Sequence, residues 1–299
     1  ALSRIGPKCC RASAPALAVC AIAALEAPCG PQAIPVFVRR GSLMRNLRRR
    51  VLPIAFLFAA GAGLAQAASD VQVVQIPLSM SNVHLIKGAV RSFLVDTGSK
   101  DDLPALAAAL AREGVRFRDL AAVILTHGHA DHAALAAEIK RRSGAVVIAG
   151  RGDRSMLESG VNEPVTPTSF TARLILMLPL DARYEPLRAD VEVDGELDLA
   201  PYGLAGRVLP VPGHTPGSLA VVLDDGRAFV GDMILGGWLG GALFAQRPGE
   251  HYFHMDVAGN GHRLAALAKL PIRQYFLGHG GPLSQEAVRE YLGREGAAR

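Results

Sequence analysis

The chain has 299 residues, half of them apolar and 5% aromatic, with 32 Lys and Arg against 27 Asp and Glu. That is too apolar for disorder and long enough for one large or two small domains with a real core. Nine basic residues and a single acid, Glu26, precede residue 51, which leaves 23 basic against 26 acidic groups beyond it. The basic excess belongs to one terminal segment, so nucleic-acid binding loses its compositional support.

Met44-Arg45-Asn46-Leu47-Arg48-Arg49-Arg50 precedes an apolar run, Val51 to Leu64, and then Ala65-Gln66-Ala67. A basic stretch, a short apolar run and a small-x-small triplet read as a secretory signal peptide over 44–67, cut after Ala67. The run, interrupted by Pro53, Gly61 and Gly63, is short of the roughly 20 apolar residues that span a bilayer. Residues 1–43 precede a plausible start Met, show no periodic element and hold all four cysteines, Cys9, Cys10, Cys20 and Cys29. They are expected to be an upstream extension absent from the natural protein. The mature chain, 68–299, would be exported to a periplasm-like space or secreted, without a disulfide, a thiolate nucleophile or a membrane span.

Strand patterns open that chain at Val71–Leu78, Val83–Lys87 and Ala89–Val95, and suggest a meander ending in Asp96-Thr97-Gly98. A helix is expected over Leu103–Arg112, stopped at Gly114. The apolar strand Ala121–Leu125 runs into Thr126-His127-Gly128-His129, and a helix over His132–Arg142 is capped at Gly144 before the strand Ala145–Ala149. Arg151 to Asp190 is weakly patterned, with Pro164, Pro167, Pro179 and Pro186. Strand signals return at Val191–Val193, Glu196–Leu199, Arg207–Val211, Ser218–Leu223 and Arg227–Val230, with Asp194-Gly195 and Asp225-Gly226 as hairpin turns. A helix over Met255–Lys269, a strand Gln274–Leu277 and a helix Ser284–Leu292 close a single α/β domain.

His127-Gly128-His129-Ala130-Asp131-His132 puts four metal-type side chains in six residues directly after a buried-type strand. His127 and His129 point the same way if strand geometry continues, and Asp131 and His132 face back from the next helix N-terminus. A metal site needs further donors from other segments. Three loops of strand-end type offer them: Pro212-Gly213-His214-Thr215-Pro216-Gly217, Gly231-Asp232 and Gly278-His279-Gly280-Gly281-Pro282.

The ordered pattern HxHxDH, GH, GD and GH resembles the metallo-β-lactamase superfamily over about residues 70–290. The resemblance implies a four-layer αββα sandwich with the metals at one edge between the sheets. It implies His127, His129 and His214 as ligands of one ion, Asp131, His132 and His279 of a second, and Asp232 as the bridge. It also places Asp96 beneath the site as support. The chemistry expected is hydrolysis by a hydroxide held between two zinc ions, with Asp131 orienting it, although the same N/O set tolerates iron or manganese.

Phe93-Leu94-Val95-Asp96-Thr97-Gly98-Ser99 also resembles the aspartic-protease signature. No second such loop is present, and that reading leaves seven metal-type positions unexplained. Glyoxalase II, lactonase and phosphodiesterase relatives carry a bridging Asp, as at Asp232, whereas β-lactamases of the superfamily generally carry Cys or Ser there. The expectation is therefore an exported dinuclear zinc hydrolase of a small ester, lactone, thioester or amide. The alternatives are a β-lactamase, suggested by the HADH run and export, and a mononuclear iron persulfide dioxygenase.

His84 and His262 read as surface or locally bonded histidines. Met233–His254, 22 residues with five glycines and the only tryptophan, reads as a long loop, hence a flap over the cleft. Trp238, Phe244, Tyr252 and His254 are its candidate substrate contacts.

Overall fold

The computed structural model describes residues 71–88, 90–178 and 181–298. The expected extension (1–43) and signal peptide (44–67), with the four cysteines, lie outside the described residues, as does Ala89 of the third predicted strand.

The opening meander forms as the alternation implies: β1 (Gln72–Pro77), β2 (Asn82–Lys87) and β3 (Ser92–Val95) pair antiparallel in order. Then come α1 (Leu103–Arg112), β4 (Leu120–Ile124), a single turn α2 (Ala130–Ala133), α3 (Ala136–Ser143) and β5 (Val146–Gly150). The predicted helix over His132–Arg142 is thus two pieces. The break lets His132 stay under the site while α3 swings onto the sheet, and α3 ends at Gly144, whose φ of 68° closes it through a bond to the Lys140 carbonyl.

The weakly patterned region supplies α4 (Arg154–Ser159), β6 (Thr166–Pro167) and α5 (Phe170–Ile175). It is followed by β7 (Val191–Val193), β8 (Leu197–Asp198), β9 (Gly206–Pro210), β10 (Leu219–Leu223) and β11 (Arg227–Phe229). Next are β12 (Leu235–Trp238), β13 (Leu243–Gly249), β14 (Phe253–His254), α6 (Val257–Leu267), β15 (Gln274–Phe276), β16 (Leu283–Ser284) and α7 (Gln285–Ala298).

Two six-stranded sheets result, ordered β1-β2-β3-β4-β5-β7 and β16-β15-β11-β10-β9-β8. Asp225-Gly226 does turn a hairpin, β10 to β11, but Asp194-Gly195 does not. β7 pairs parallel with β5 in the first sheet and β8 antiparallel with β9 in the second, so that turn carries the chain from one sheet to the other.

Strand alternation sorts the side chains into layers. Ile86, Phe93, Val95 and Ile124 meet Val208, Val221, Phe229 and Phe276 between the sheets. On the outer faces, Leu106, Leu110 and Ile139 of α1 and α3 pack on Leu85, Leu94 and Val123, and Leu264, Leu267 and Val288 of α6 and α7 pack on Val222, Ala228 and Tyr275. This is the four-layer αββα sandwich. His84 follows the same alternation inward: it is buried against Phe229 and Phe276 with neither ring nitrogen hydrogen-bonded, contrary to the surface reading. Burial lowers its pKa to about 3, so it packs as a neutral ring. Among the described residues no helix is long and apolar enough to cross a membrane.

Candidate metal centre

The metal-type residues sit where strands of both sheets end in tight loops at one edge. Asp232, buried just after β11, is the hub. Its Oδ2 lies 3.3 Å from His279 Nε2, 3.4 Å from His132 Nε2, 3.6 Å from His214 Nε2 and 3.8 Å from His127 Nε2. His129 Nδ1 meets His214 Nε2 at 3.0 Å, and Asp131 Oδ2 is 3.4 Å from His279 and 3.5 Å from His132. All seven residues expected from sequence are therefore drawn together. They form three compact donor groups, His127–His129–His214, His127–His132–Asp232 and Asp131–His132–His279.

The ring orientations follow from what each partner can do. Asp96 accepts bonds from the Thr126 N–H (2.7 Å), the Thr126 hydroxyl (2.8 Å) and His132 Nδ1 (2.9 Å). A carboxylate only accepts, so His132 carries a proton on Nδ1 and aims Nε2 at Asp232. Thr126, having donated to Asp96, accepts from His127 Nδ1 at 3.1 Å, which fixes His127 the same way. His214 Nδ1 donates to the Phe253 carbonyl at 2.8 Å. Asp96, expected beneath the site, thus sets two of the imidazoles, an arrangement typical of metal-ligating histidines.

The residues fit a cation. His127 Nε2, His132 Nε2 and Asp232 Oδ1 are buried with no hydrogen-bond partner, a costly state unless an ion takes their lone pairs. Gly278 leaves the needed room, because a Cβ there would stand 1.9 Å from Asp232 Oδ1 and 2.6 Å from the His132 ring. Burial holds His127 and His214 neutral, well below the usual imidazole value. At His132 burial pulls the same way, but Asp232, Asp131 and Asp96 overcome it and raise the group well above that value. His279 is likewise raised to about 10 against burial, chiefly by Asp232. Asp131 and Asp232 stay ionised despite burial because these imidazoles flank them. Without an ion, the two carboxylates draw protons onto His132 and His279; a divalent cation would supply that charge instead.

Three supports were not legible in the sequence. Asp153, buried after β5, accepts from Gly128 N–H (2.8 Å), Gly217 N–H (2.7 Å) and the Thr215 hydroxyl (2.7 Å), and so pins the His127–His129 loop to the His214 loop. Asn82 bonds the Leu277 and Gly280 carbonyls at 3.0 and 2.9 Å, bracing the His279 loop. His251 enters the cluster itself, with Nε2 3.2 Å from Asp232 Oδ2.

The Met233–His254 segment is not a structureless loop. β12 and β13 form a two-stranded antiparallel hairpin, and β14 pairs with β6. Trp238 and Phe244 are exposed on the hairpin, edge to face at 6.1 Å, with Arg247 over the Trp238 ring. The hairpin is anchored beside the site, where Gly236 N–H donates to the His279 carbonyl at 2.9 Å. Tyr252 is half-buried beside His251. His254, expected to touch substrate, is instead fully buried, with Nε2 2.9 Å from Glu250 and 3.3 Å from Asn260, and has no free face for one.

Comparison with known proteins decides the family. The model of the metallo-beta-lactamase superfamily matches residues 76–279. The chain belongs to that superfamily. It is 37% identical over 158 residues, 52% of this chain and 46% of the relative, to a hydroxyacylglutathione hydrolase of Anaeromyxobacter dehalogenans. It thus spans about half of that relative. Over 78% of this chain and 92% of the relative it is 28% identical to the probable metallo-hydrolase YflN of Bacillus subtilis. In structure it resembles a metallo-beta-lactamase family protein of Thermus thermophilus, with a TM-score of 0.53, 24% identity and coverage of 76% and 79% of the two chains.

Proposed function

We propose that the protein is a dinuclear zinc hydrolase of small thioesters, with esters, lactones and amides as the neighbouring substrate classes. His127, His129 and His214 would hold one ion, Asp131, His132 and His279 the other, and Asp232 both. The observation that carries this reading is Asp232 Oδ2, a buried carboxylate oxygen ringed at 3.3–3.8 Å by four imidazole nitrogens from the other three motifs. Six donors of imidazole and carboxylate type around a bridging Asp suit zinc, and tolerate iron or manganese.

When bound, such ions supply a water of lowered pKa and polarise the electrophilic oxygen. The chain's own residues do the rest. Asp131, the least buried of the carboxylates, would accept the nucleophile's hydrogen bond, holding it in line. Asp96 and Thr126 keep the imidazoles turned inward, so no reorganisation is needed during reaction. The thioester preference is supported by the relative named hydroxyacylglutathione hydrolase and by Asp at position 232. Export of residues 68–299 after removal of 44–67 is part of the same proposal and rests on the Arg-rich, apolar and Ala65-Gln66-Ala67 sequence alone.

The test is turnover of the protein, loaded with zinc and in parallel with iron in air, on a panel of thioester, ester, lactone, unstrained amide, β-lactam and persulfide substrates. The reading requires its highest kcat/KM on a thioester or one of the three neighbouring classes. Preference for a β-lactam or a persulfide would replace it.

A further inference from the structure

His251 lies in none of the four motifs, yet its Nε2 makes the shortest imidazole approach to Asp232 Oδ2, 3.2 Å against 3.3–3.8 Å for the others. The ring is buried and is brought in by the return from β13 to β14. Its Nδ1 lies 3.1 Å from the Phe253 carbonyl, which accepts from His214 Nδ1, and 3.3 Å from the Phe253 N–H. With its proton on Nδ1, donated to that carbonyl, His251 is set as His214 is, with a bare Nε2 aimed at Asp232. A lone pair facing a buried carboxylate oxygen is repulsive unless a cation lies between them. His251 also completes a compact donor group with Asp232 and His279.

We propose that His251 is an eighth protein ligand, joining Asp131, His132, His279 and Asp232 on the second ion. This rests on the two-ion reading above. The competing arrangement is the other tautomer, in which Nδ1 accepts from Phe253 N–H at 3.3 Å and Nε2–H donates to Asp232, making His251 a positioning residue. The extra donor strengthens the second site, the one lacking the three-histidine set.

The two roles separate in the full chain labelled with 15N-histidine and loaded with cadmium-113. A ligating His251 shows one-bond nitrogen–cadmium coupling on Nε2, identified by its loss in His251→Gln. Zinc titration gives the second readout. Gln keeps a donor for Asp232 but is a poor ligand, so His251→Gln should bind the first ion unchanged and the second about tenfold or more weakly. Circular dichroism on the same samples verifies that the variant is folded. An uncoupled, protonated Nε2 in wild type, with unchanged titration of the variant, overturns the proposal and leaves the two-ion reading standing. Uptake of fewer than two ions by wild type overturns both.

Discussion

The site is made of two kinds of structure. One is a set of strand-end loops, at His127–His132, His214, Asp232 and His279, packed against the sandwich core and tied by Asp96, Asp153 and Asn82. The other is the β12–β14 excursion, which leaves Trp238 and Phe244 in solvent while driving His251 and His254 inward. Loops on rigid strands fix donor positions to the precision a metal requires, whereas a hairpin anchored at its base can vary its tip without disturbing them. The difference predicts that substitutions in the loops act on metal binding and those on the hairpin tip act on substrate.

The hub carries the largest expected effect. Asp232→Ala should abolish binding of both ions, with a loss of activity far beyond the ~100-fold typical of removing a partner outside the coordination sphere. Retained turnover with full metal content would refute its role. Gly278→Ala comes next, since the new Cβ would press on Asp232 Oδ1 and the His132 ring. Metal content should fall steeply while circular dichroism stays unchanged, because the clash lies in the site rather than the core.

The braces should show intermediate effects of two kinds. Asp153→Ala leaves two buried N–H groups and a hydroxyl without their acceptor, so urea unfolding should report a loss of about 3 kcal/mol. Asp96→Asn frees the His132 ring and should weaken zinc binding by about 10–100-fold at little cost in fold. The smallest effect on stability belongs to Trp238→Ala, within about 0.5 kcal/mol as for other exposed sites. If the hairpin flanks the substrate, KM should nevertheless rise several-fold; unchanged KM and kcat would take the hairpin out of the substrate surface.

What was legible in the sequence follows the same division. HxHxDH and the three glycine-flanked donors could be read because metal chemistry restricts residue type and the close backbone approach demands glycine, as at Gly278. Strand alternation placed the meander and most of the second sheet. Asp194-Gly195 misled because turn chemistry is local, while the choice between pairing back and crossing to another sheet is made by packing on β5 and β9. The β12–β13 hairpin was hidden by its glycines, which weaken strand signals. His84, His251 and Asp153 carry no local signal at all, since an isolated His or Asp takes its meaning only from what the fold brings against it.

The central claim is that these donors hold two ions, and metal analysis of the chain purified without chelator tests it most directly. The account predicts about two zinc ions per chain, as two-metal hydrolases hold. A chain that takes up no metal, or a single iron, would contradict it.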